Sequence, residues 1–437
     1  MFVLSRFCKV FSRGDVFLLY NSKRNNFYEL SGEAYEFIQS IQNEGSISDS
    51  HSEDEKEFIE LLKEKEILVN PLADDAYVDD IVIARNTMSY SRTNISLTIA
   101  PTLMCNLRCP YCFEQNKPIG IMDDNTADGV VEFIRNQDAA KTLNVTWFGG
   151  EPLICTDRID YLLERFNRLE DISLINHSIV TNGTLIDDKV ISLFREYPLN
   201  DMQITLDGNE CHHNKKRFHA DGSGSFDEIM CNIERISTEL PEVKLSIRIN
   251  VDNSNFRDYS EVADLLDSKF EGKNVSYYPG ILIANKGCES ETFFTSRDYV
   301  EFMRLLRQSG KSISYPTHHT NKGCCATGIA SHVIGPRGEL YRCWEHVGVP
   351  QNEIGSIFDN KITNPKLFRA FMLHGTGVDD NNCRNCLLFP ICSCGCPNKR
   401  VENLLNGSKN DLCSVYKNND EGALEDMLYE YYLQTVK

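Results

Sequence analysis

Between residues 94 and 310, short apolar runs alternate six times with amphipathic segments, and few folds accommodate that rhythm. Ile95–Ile99, Val145–Phe148, Ser178–Val180, Met202–Leu206, Lys244–Val251 and a last region over Val275–Tyr278 and Gly280–Ile283 read as strands. Asp124–Arg135, Arg158–Leu169, Lys189–Phe194, Phe226–Leu240, Tyr259–Leu266 and Arg297–Leu306 read as helices. Strands joined through helices run parallel, with right-handed crossovers. Six repeats fall short of a closed eight-unit barrel. The expected fold is therefore α/β: an open, partial (β/α)6 TIM-type barrel with its site at the C-terminal ends of the strands.

The flanks read differently. Residues 1–70 form a small module, with strands at Val3–Val10, Asp15–Tyr20 and Asn26–Leu30. A helix opens at Ser31-Gly32-Glu33, and Glu44–Glu55 reads as a loop. A second helix runs through Phe58 to Leu62 and ends near Ile67-Leu68-Val69. The arrangement has a winged-helix character. Residues 71–93 are polar and acidic and read as a linker. From 311 to 437 the alternation stops, and helical pattern returns only near Leu424–Leu433. This loop-rich segment holds nine of the 17 cysteines, so bound metal is expected to organise it.

An odd cysteine number in a chain of 437 residues, behind an N-terminus without a signal-peptide pattern, argues against a secreted disulfide framework. A cytoplasmic location is expected. No stretch approaches the ~20 apolar residues of a membrane span, and a net charge of −19 argues against nucleic acid as a partner.

The chemistry lies in the cysteine spacing. After the first strand comes Cys105-x3-Cys109-x2-Cys112. Three close thiolates suit an iron–sulfur cluster with one iron left for a small molecule; zinc is the competing ligand of such spacing. The second strand ends in Gly149-Gly150-Glu151-Pro152, where paired glycines permit close backbone approach to a ligand.

Together these motifs resemble the radical S-adenosylmethionine (SAM) superfamily. The resemblance implies a [4Fe–4S] cluster on Cys105, Cys109 and Cys112, with SAM chelating the fourth iron. It places Gly149, Gly150, Glu151 and Pro152 at the SAM amino group and Tyr111 near the adenine. Thr181-Asn-Gly-Thr184, Thr205 with Asp207, His212, Arg217 and Arg248-Ile-Asn-Val251 resemble later strand ends of that family, where further SAM contacts fall. For Thr205 and Asp207, capping of a strand and turn is the competing reading.

The C-terminal segment reads Cys325-x12-Gly338-x4-Cys343, then Cys383-x2-Cys386-x5-Cys392-x3-Cys396, then Cys413. This order resembles the SPASM extension of radical SAM enzymes that modify peptides and proteins. It implies two auxiliary [4Fe–4S] clusters, one on Cys383, Cys386, Cys392 and Cys413, the other on Cys325, Cys343 and Cys396. Two zinc knuckles are the alternative. Cys324 or His332 could complete the second set, or one iron could stay open to a substrate thiolate. Cys394 lies off the pattern. Cys8, Cys155, Cys211, Cys231 and Cys288 read as buried free thiols.

The N-terminal module is similar to the small leader-recognition domain of enzymes that mature ribosomally made peptides. The resemblance implies a precursor peptide as partner, a flavodoxin or ferredoxin as reductant, and thioether or related cross-linking as the reaction. Formylglycine formation, as in anaerobic sulfatase maturation, is the alternative. No catalytic base stands out.

Overall fold

The expected strands and helices are present, and they separate into two compact units. The computed structural model describes residues 2–45, 47, 52–282, 294–311, 323–359, 361–413 and 420–436. Cys288, Ile283 and the middle of the Glu44–Glu55 stretch lie outside the described residues. One unit comprises Met1–Tyr90, Ser314–Gly328 and Ala370–Lys437; the other comprises Ser91–Ile313 and Ile329–Arg369.

In the first unit, β1 (Val3–Leu4) pairs antiparallel with β5 (Leu68–Val69), so Ile67-Leu68-Val69 ends in a strand rather than a helix. Strands β2 (Cys8–Arg13), β3 (Val16–Asn21) and β4 (Asn26–Leu30) form an antiparallel meander. Helix α1 (Gly32–Glu44) starts on Ser31, whose hydroxyl accepts from the Ala34 N–H, and stops at Gly45 in the left-handed region. Helix α2 (Glu53–Glu64) opens on a Ser52/Glu55 capping box, inside the stretch expected to be a loop. Leu19, Ile38, Ile41, Ile59 and Leu62 make the module's core.

The expected linker over 71–93 is instead a 20-residue helix, α3 (Pro71–Tyr90). Its buried face carries Asp74, Val78, Ile81, Arg85 and Ser89, spaced three or four apart. Three of those five are polar, which hides the stripe from a hydrophobicity pattern. Asp74 and Arg85 are buried against polar partners. Asp74 accepts from the Ser5 hydroxyl at 3.0 Å and the Arg6 N–H at 2.9 Å, and pairs with Lys23 at 2.6 Å.

The second unit is built on one mixed sheet. Its parallel strands are β6 (Asn94–Thr102), β7 (Thr142–Gly149), β8 (Ser173–Thr181), β9 (Asp201–Leu206), β10 (Lys244–Val251) and β11 (Val275–Ile281), neighbours in that order. Crossovers are made by α4 (Asp124–Arg135), α5 (Thr156–Phe166), α6 (Asp188–Glu196), α7 (Glu210–Lys216) with α8 (Phe226–Glu239), and α9 (Tyr259–Lys269). Helix α10 (Ser296–Gln308) follows β11. A seventh parallel strand, β12 (Ser331–Ile334), lies on the far side of β6. Short antiparallel strands β13 (Glu339–Tyr341), β14 (Gly355–Ser356) and β15 (Lys361–Ile362) continue the sheet.

Side-chain alternation gives the sheet two unlike faces. Val145, Trp147, Ile179, Ile204 and Ile247 are fully buried, and Trp147 stacks on Phe166 of α5, which marks the helix-covered face. The opposite face is polar. Thr146 bonds Ser178, Tyr278 donates to Gln203, and Arg248 donates to Asn250.

The last segments return to the first unit. Helix α11 (Pro365–His374) leads into α12 (Asn381–Arg384), α13 (Pro397–Asn406) and α14 (Glu421–Thr435). Only α14 was legible as a helix; the others are short or crowded by cysteines. The segment does not stand apart as expected. Ser22 donates to the Leu387 carbonyl at 2.5 Å, and Arg13 pairs with Glu425 and Asp426. Phe7 packs with Val78, Ile81, Phe389 and Cys394. Of the expected divisions, 93 and 310 lie within three residues of boundaries between the units, whereas 70 falls inside the first unit and 329–369 return to the second.

Candidate functional site

The loop carrying Cys105, Cys109 and Cys112 leaves β6 at the C-terminal end of the sheet and is supported from three sides. The first support is the Gly149–Glu151 segment that ends β7. The Gly150 N–H donates to the Thr102 carbonyl at 3.2 Å and the Glu151 N–H to the Met104 carbonyl at 2.8 Å. A Cβ on Gly149, whose φ is +123°, would lie 2.2 Å from the Thr102 oxygen; one on Gly150 would lie 2.3 Å from the Met104 oxygen. The close approach expected toward a ligand is thus made to the chain's own backbone, immediately before Cys105. Because backbone cannot step aside, Gly150→Ala is expected to cost roughly 1–3 kcal/mol and to lower the iron retained by this loop. Urea unfolding and iron analysis check it, and a variant unchanged in both would show slack in the loop.

Glu151 is fully buried, and its carboxylate is committed within the protein. It accepts from the Leu153 N–H at 3.0 Å, the Thr181 hydroxyl at 2.7 Å and the Asn182 N–H at 2.7 Å, tying the end of β7 to the end of β8. Burial pushes its pKa up, and these bonds oppose the rise. Pro152 opens a short 3-10 turn behind it.

The second support is Thr181-Asn-Gly-Thr184. Asn182 donates to Asn106 at 2.9 Å and reaches the Cys105 sulfur at 3.8 Å, while Asn106 donates to Thr184 at 2.8 Å. These side chains shape the cysteine loop.

The third support brings Tyr111, Asp207 and Arg217 together. The Tyr111 hydroxyl donates to Asp207, and Arg217 donates to that hydroxyl at 3.1 Å. Burial and the neighbouring Asp207 carboxylate hold the Tyr111 proton on firmly. Burial alone would depress the Arg217 guanidinium, but Tyr111 and Asp207 reverse that and keep it charged. The second oxygen of Asp207 and Nε of Arg217 are buried and lack a partner among the described residues. Unsatisfied polar atoms of this kind fit a polar ligand such as SAM. Thr205 is buried one turn of the pleat away, in register with Arg248.

Sequence reasoning singled out His212, but the histidine that serves this cluster is its neighbour. His213 Nδ1 accepts from the Asp207 N–H at 3.2 Å, and its Nε2 lies 3.0 Å from Ser225 Oγ, which itself donates to the Arg217 carbonyl. That pattern requires the neutral, Nε2–H tautomer. Burial, helped by Arg217, depresses its pKa to about 3, in agreement. His212 lies instead beside Asp258.

A row of rings also escaped the sequence reading. Phe148 stacks between Phe113 and Trp344 at 6.5 and 5.1 Å, and Lys117 lies 4.7 Å over Phe113. Phe113 directly follows Cys112 and Trp344 directly follows Cys343. That adjacency was the available clue. Glu114 is buried in the same region, which raises its pKa to about 7 against the opposing charge of Lys117.

Burial raises the pKa of all three loop thiols, that of Cys109 to about 11. Such thiols bind as thiolates only beside a strong cationic centre, as iron provides. Among the described residues no three His, Cys, Asp or Glu side chains converge on a single ion. A cubane cluster is wider than an ion and takes its thiolates at separate corners. In the first unit, Cys383, Cys386, Cys392 and Cys413 line one cavity of about 450 Å3, joined by Cys394. Four of the expected ligands are thus gathered around one space that fits a cluster. Of the other expected set, Cys325 and Cys396 belong to the first unit and Cys343 to the second. His332 packs edge-on against Phe133 of α4.

Among the described residues no helix is long and apolar enough to cross a membrane. Comparison with known proteins matches residues 99–266 to the Radical SAM superfamily. The chain is 26% identical to a cysteine-type anaerobic sulfatase-maturating enzyme of Clostridium novyi, over 77% of this chain and 97% of that protein. It is 22% identical to the radical SAM cyclopropyl synthase TigE of Paramaledivibacter caminithermalis, over 95% of this chain and 94% of the relative. Among solved structures it resembles anSMEcpe with bound AdoMet (TM-score 0.60, 21% identity, 78% of this chain and 98% of that one). It also resembles Streptococcus suis SuiB bound to S-adenosylmethionine (TM-score 0.54, 17% identity, 95% and 100%). The family match spans the strand ends that carry the cysteine loop, the glycine pair and Asp207, so residues 99–266 are a radical SAM domain and the protein is a radical SAM enzyme.

Proposed function

We propose that this enzyme matures a ribosomally synthesised precursor peptide, forming a thioether from a cysteine sulfur to a carbon, or a related cross-link. The observation that carries this reading is how far each resemblance extends. The likeness to anSMEcpe leaves over a fifth of this chain uncovered, a share comparable to residues 1–90, whereas SuiB and TigE match 95% of it. SuiB has also been solved bound to the precursor peptide SuiA. In this reading the leader adds a strand to an edge of the β2–β3–β4 sheet, at β2 or β4, through main-chain hydrogen bonds.

Cys105, Cys109 and Cys112 would hold the SAM-binding [4Fe–4S] cluster. Cys383, Cys386, Cys392 and Cys413 would hold one auxiliary [4Fe–4S] cluster, and Cys325, Cys343 and Cys396 the other. When bound, SAM and its cluster supply a 5′-deoxyadenosyl radical able to take a hydrogen atom from an unactivated carbon. The protein's share is to hold and orient. Tyr111, Asp207 and Arg217 present polar atoms to SAM. Gly149, Gly150, Glu151 and Pro152 fix the loop against which its amino group would rest, and Thr205 lies two residues before Asp207 at the end of β9. The polar face of the sheet would receive a peptide segment. A flavodoxin or ferredoxin would deliver the electron.

A second reading, oxidation of a Ser or Cys to formylglycine, is favoured by the higher identity to the sulfatase-maturating relative and the higher TM-score of anSMEcpe. Mass spectrometry of a co-expressed precursor separates the two. A cross-link removes two hydrogens and suppresses fragmentation between the joined residues. Formylglycine fragments normally and reacts with a hydrazine. A hydrazine-reactive product would overturn the first reading.

A further inference from the structure

The cavity lined by Cys383, Cys386, Cys392, Cys394 and Cys413 has a cation beside it that comes from far away in sequence. Arg85 of α3 is 5% exposed. Its Nη1 donates to the Cys394 sulfur at 3.1 Å and its Nη2 to the Cys392 carbonyl at 2.7 Å, and its Nε is buried without a partner among the described residues. The guanidinium also lies 5.4 Å from the Phe389 ring. The other arginine at the cavity, Arg400, donates to the Cys383 sulfur at 3.5 Å and is paired with Asp380 at 2.8 Å. Among the described residues, Arg85 makes no such ion pair with a carboxylate.

A buried guanidinium without a countercharge costs several kcal/mol, so a folded chain must supply one. Four thiolates on a [4Fe–4S] core supply it, since that assembly is anionic and gains one further negative charge when reduced. We propose that Arg85 is the electrostatic counterpart of this auxiliary cluster and raises its reduction potential, acting through the Cys394 sulfur and the Cys392 carbonyl. The proposal rests on the reading that the four cysteines bind a cluster. A cation held this close stabilises the reduced, more negative form over the oxidised one. The pairing also gives Cys394 a role outside the ligand set. Cys394 sits in the left-handed region at φ +62°, which aims its sulfur at α3 while Cys392 and Cys396 keep the ligand spacing.

The experiment is an EPR-monitored redox titration of the full chain in a background with Cys105, Cys109, Cys112 and Cys343 changed to Ala, which leaves this cluster as the one observed. Iron and sulfide are counted first. If the background protein binds no cluster, the ligand reading fails and Arg85 is not in question. With the cluster present, Arg85→Gln should lower the ratio of reduced to oxidised cluster at a fixed potential by about tenfold, or about 59 mV for a one-electron couple. Arg85→Lys, which keeps the charge, should stay close to the parent. Equal shifts in both variants, or a Gln variant with full iron and an unchanged potential, would overturn the proposal. If the Gln variant fails to retain iron, the Lys variant decides alone: full iron at the parent potential supports the proposal, and loss of iron refutes it.

Discussion

Changing Cys105, Cys109 and Cys112 together to Ala should abolish formation of 5′-deoxyadenosine from SAM while iron bound through the C-terminal cysteines persists. The three residues share one loop between β6 and α4 in the second unit, whereas the cavity lined by Cys383, Cys386, Cys392 and Cys413 belongs to the first. Removing three thiols that burial already disfavours as thiolates leaves no thiolate ligand on that loop, so loss of the reaction should be complete. The flanking strands keep their apolar contacts and should fold as before. Quantifying 5′-deoxyadenosine beside iron and sulfide checks both halves. SAM cleavage persisting in the triple variant would contradict the assignment of this loop.

Removal of residues 1–70 should have a second large effect, on the far end of the chain. If the N-terminal module were a separate recognition domain, its loss would weaken peptide binding and little else. Its packing says otherwise. Phe7 is wholly buried beside Phe389 and Cys394, Ser22 holds the Leu387 carbonyl, and Asp74 loses Ser5, Arg6 and Lys23 in the truncation. The truncated chain should therefore lose iron from the auxiliary site as well as peptide affinity. Phe7→Ala alone should cost ~3–5 kcal/mol of stability. Iron content, thermal unfolding and peptide affinity measured on both variants give the answer. Full iron in the truncation would show that the module is separable.

Much of this was readable beforehand, and the exceptions have physical causes. The bounds of α4 and β10 are legible because burial on one or both faces writes a regular apolar pattern. Helix α3 is not, because Asp74 and Arg85 are buried through polar partners that only the fold brings near. The grouping of Cys383, Cys386, Cys392 and Cys413 around one cavity is legible from spacing, since cysteines so close in sequence are easily brought within a short reach. The roles of Gly149, Gly150 and Glu151 are not. Their demands come from the Thr102–Met104 backbone and from β8, and no spacing rule reports a close approach between segments so far apart. His213 escaped for the same reason, as only three-dimensional placement distinguishes it from His212.

The seventh parallel strand has a bearing on how the chain reaches this state. Ser96 pairs with Ser331 and Ile99 with Ile334, with over two hundred residues between the two strands. Pairings of such sequence separation form late, because the loop they close carries a large entropic cost. During synthesis the open flank of β6 must wait, unpaired, until the whole crossover region has left the ribosome. The first unit waits too, since Phe7 meets Phe389 only when the C-terminal segment emerges. Neither unit can be completed in the order in which it is made, and the cavity lined by Cys383, Cys386, Cys392 and Cys413 can take up iron only after Cys413 has emerged. Until then the exposed strand flank is the point most open to self-association.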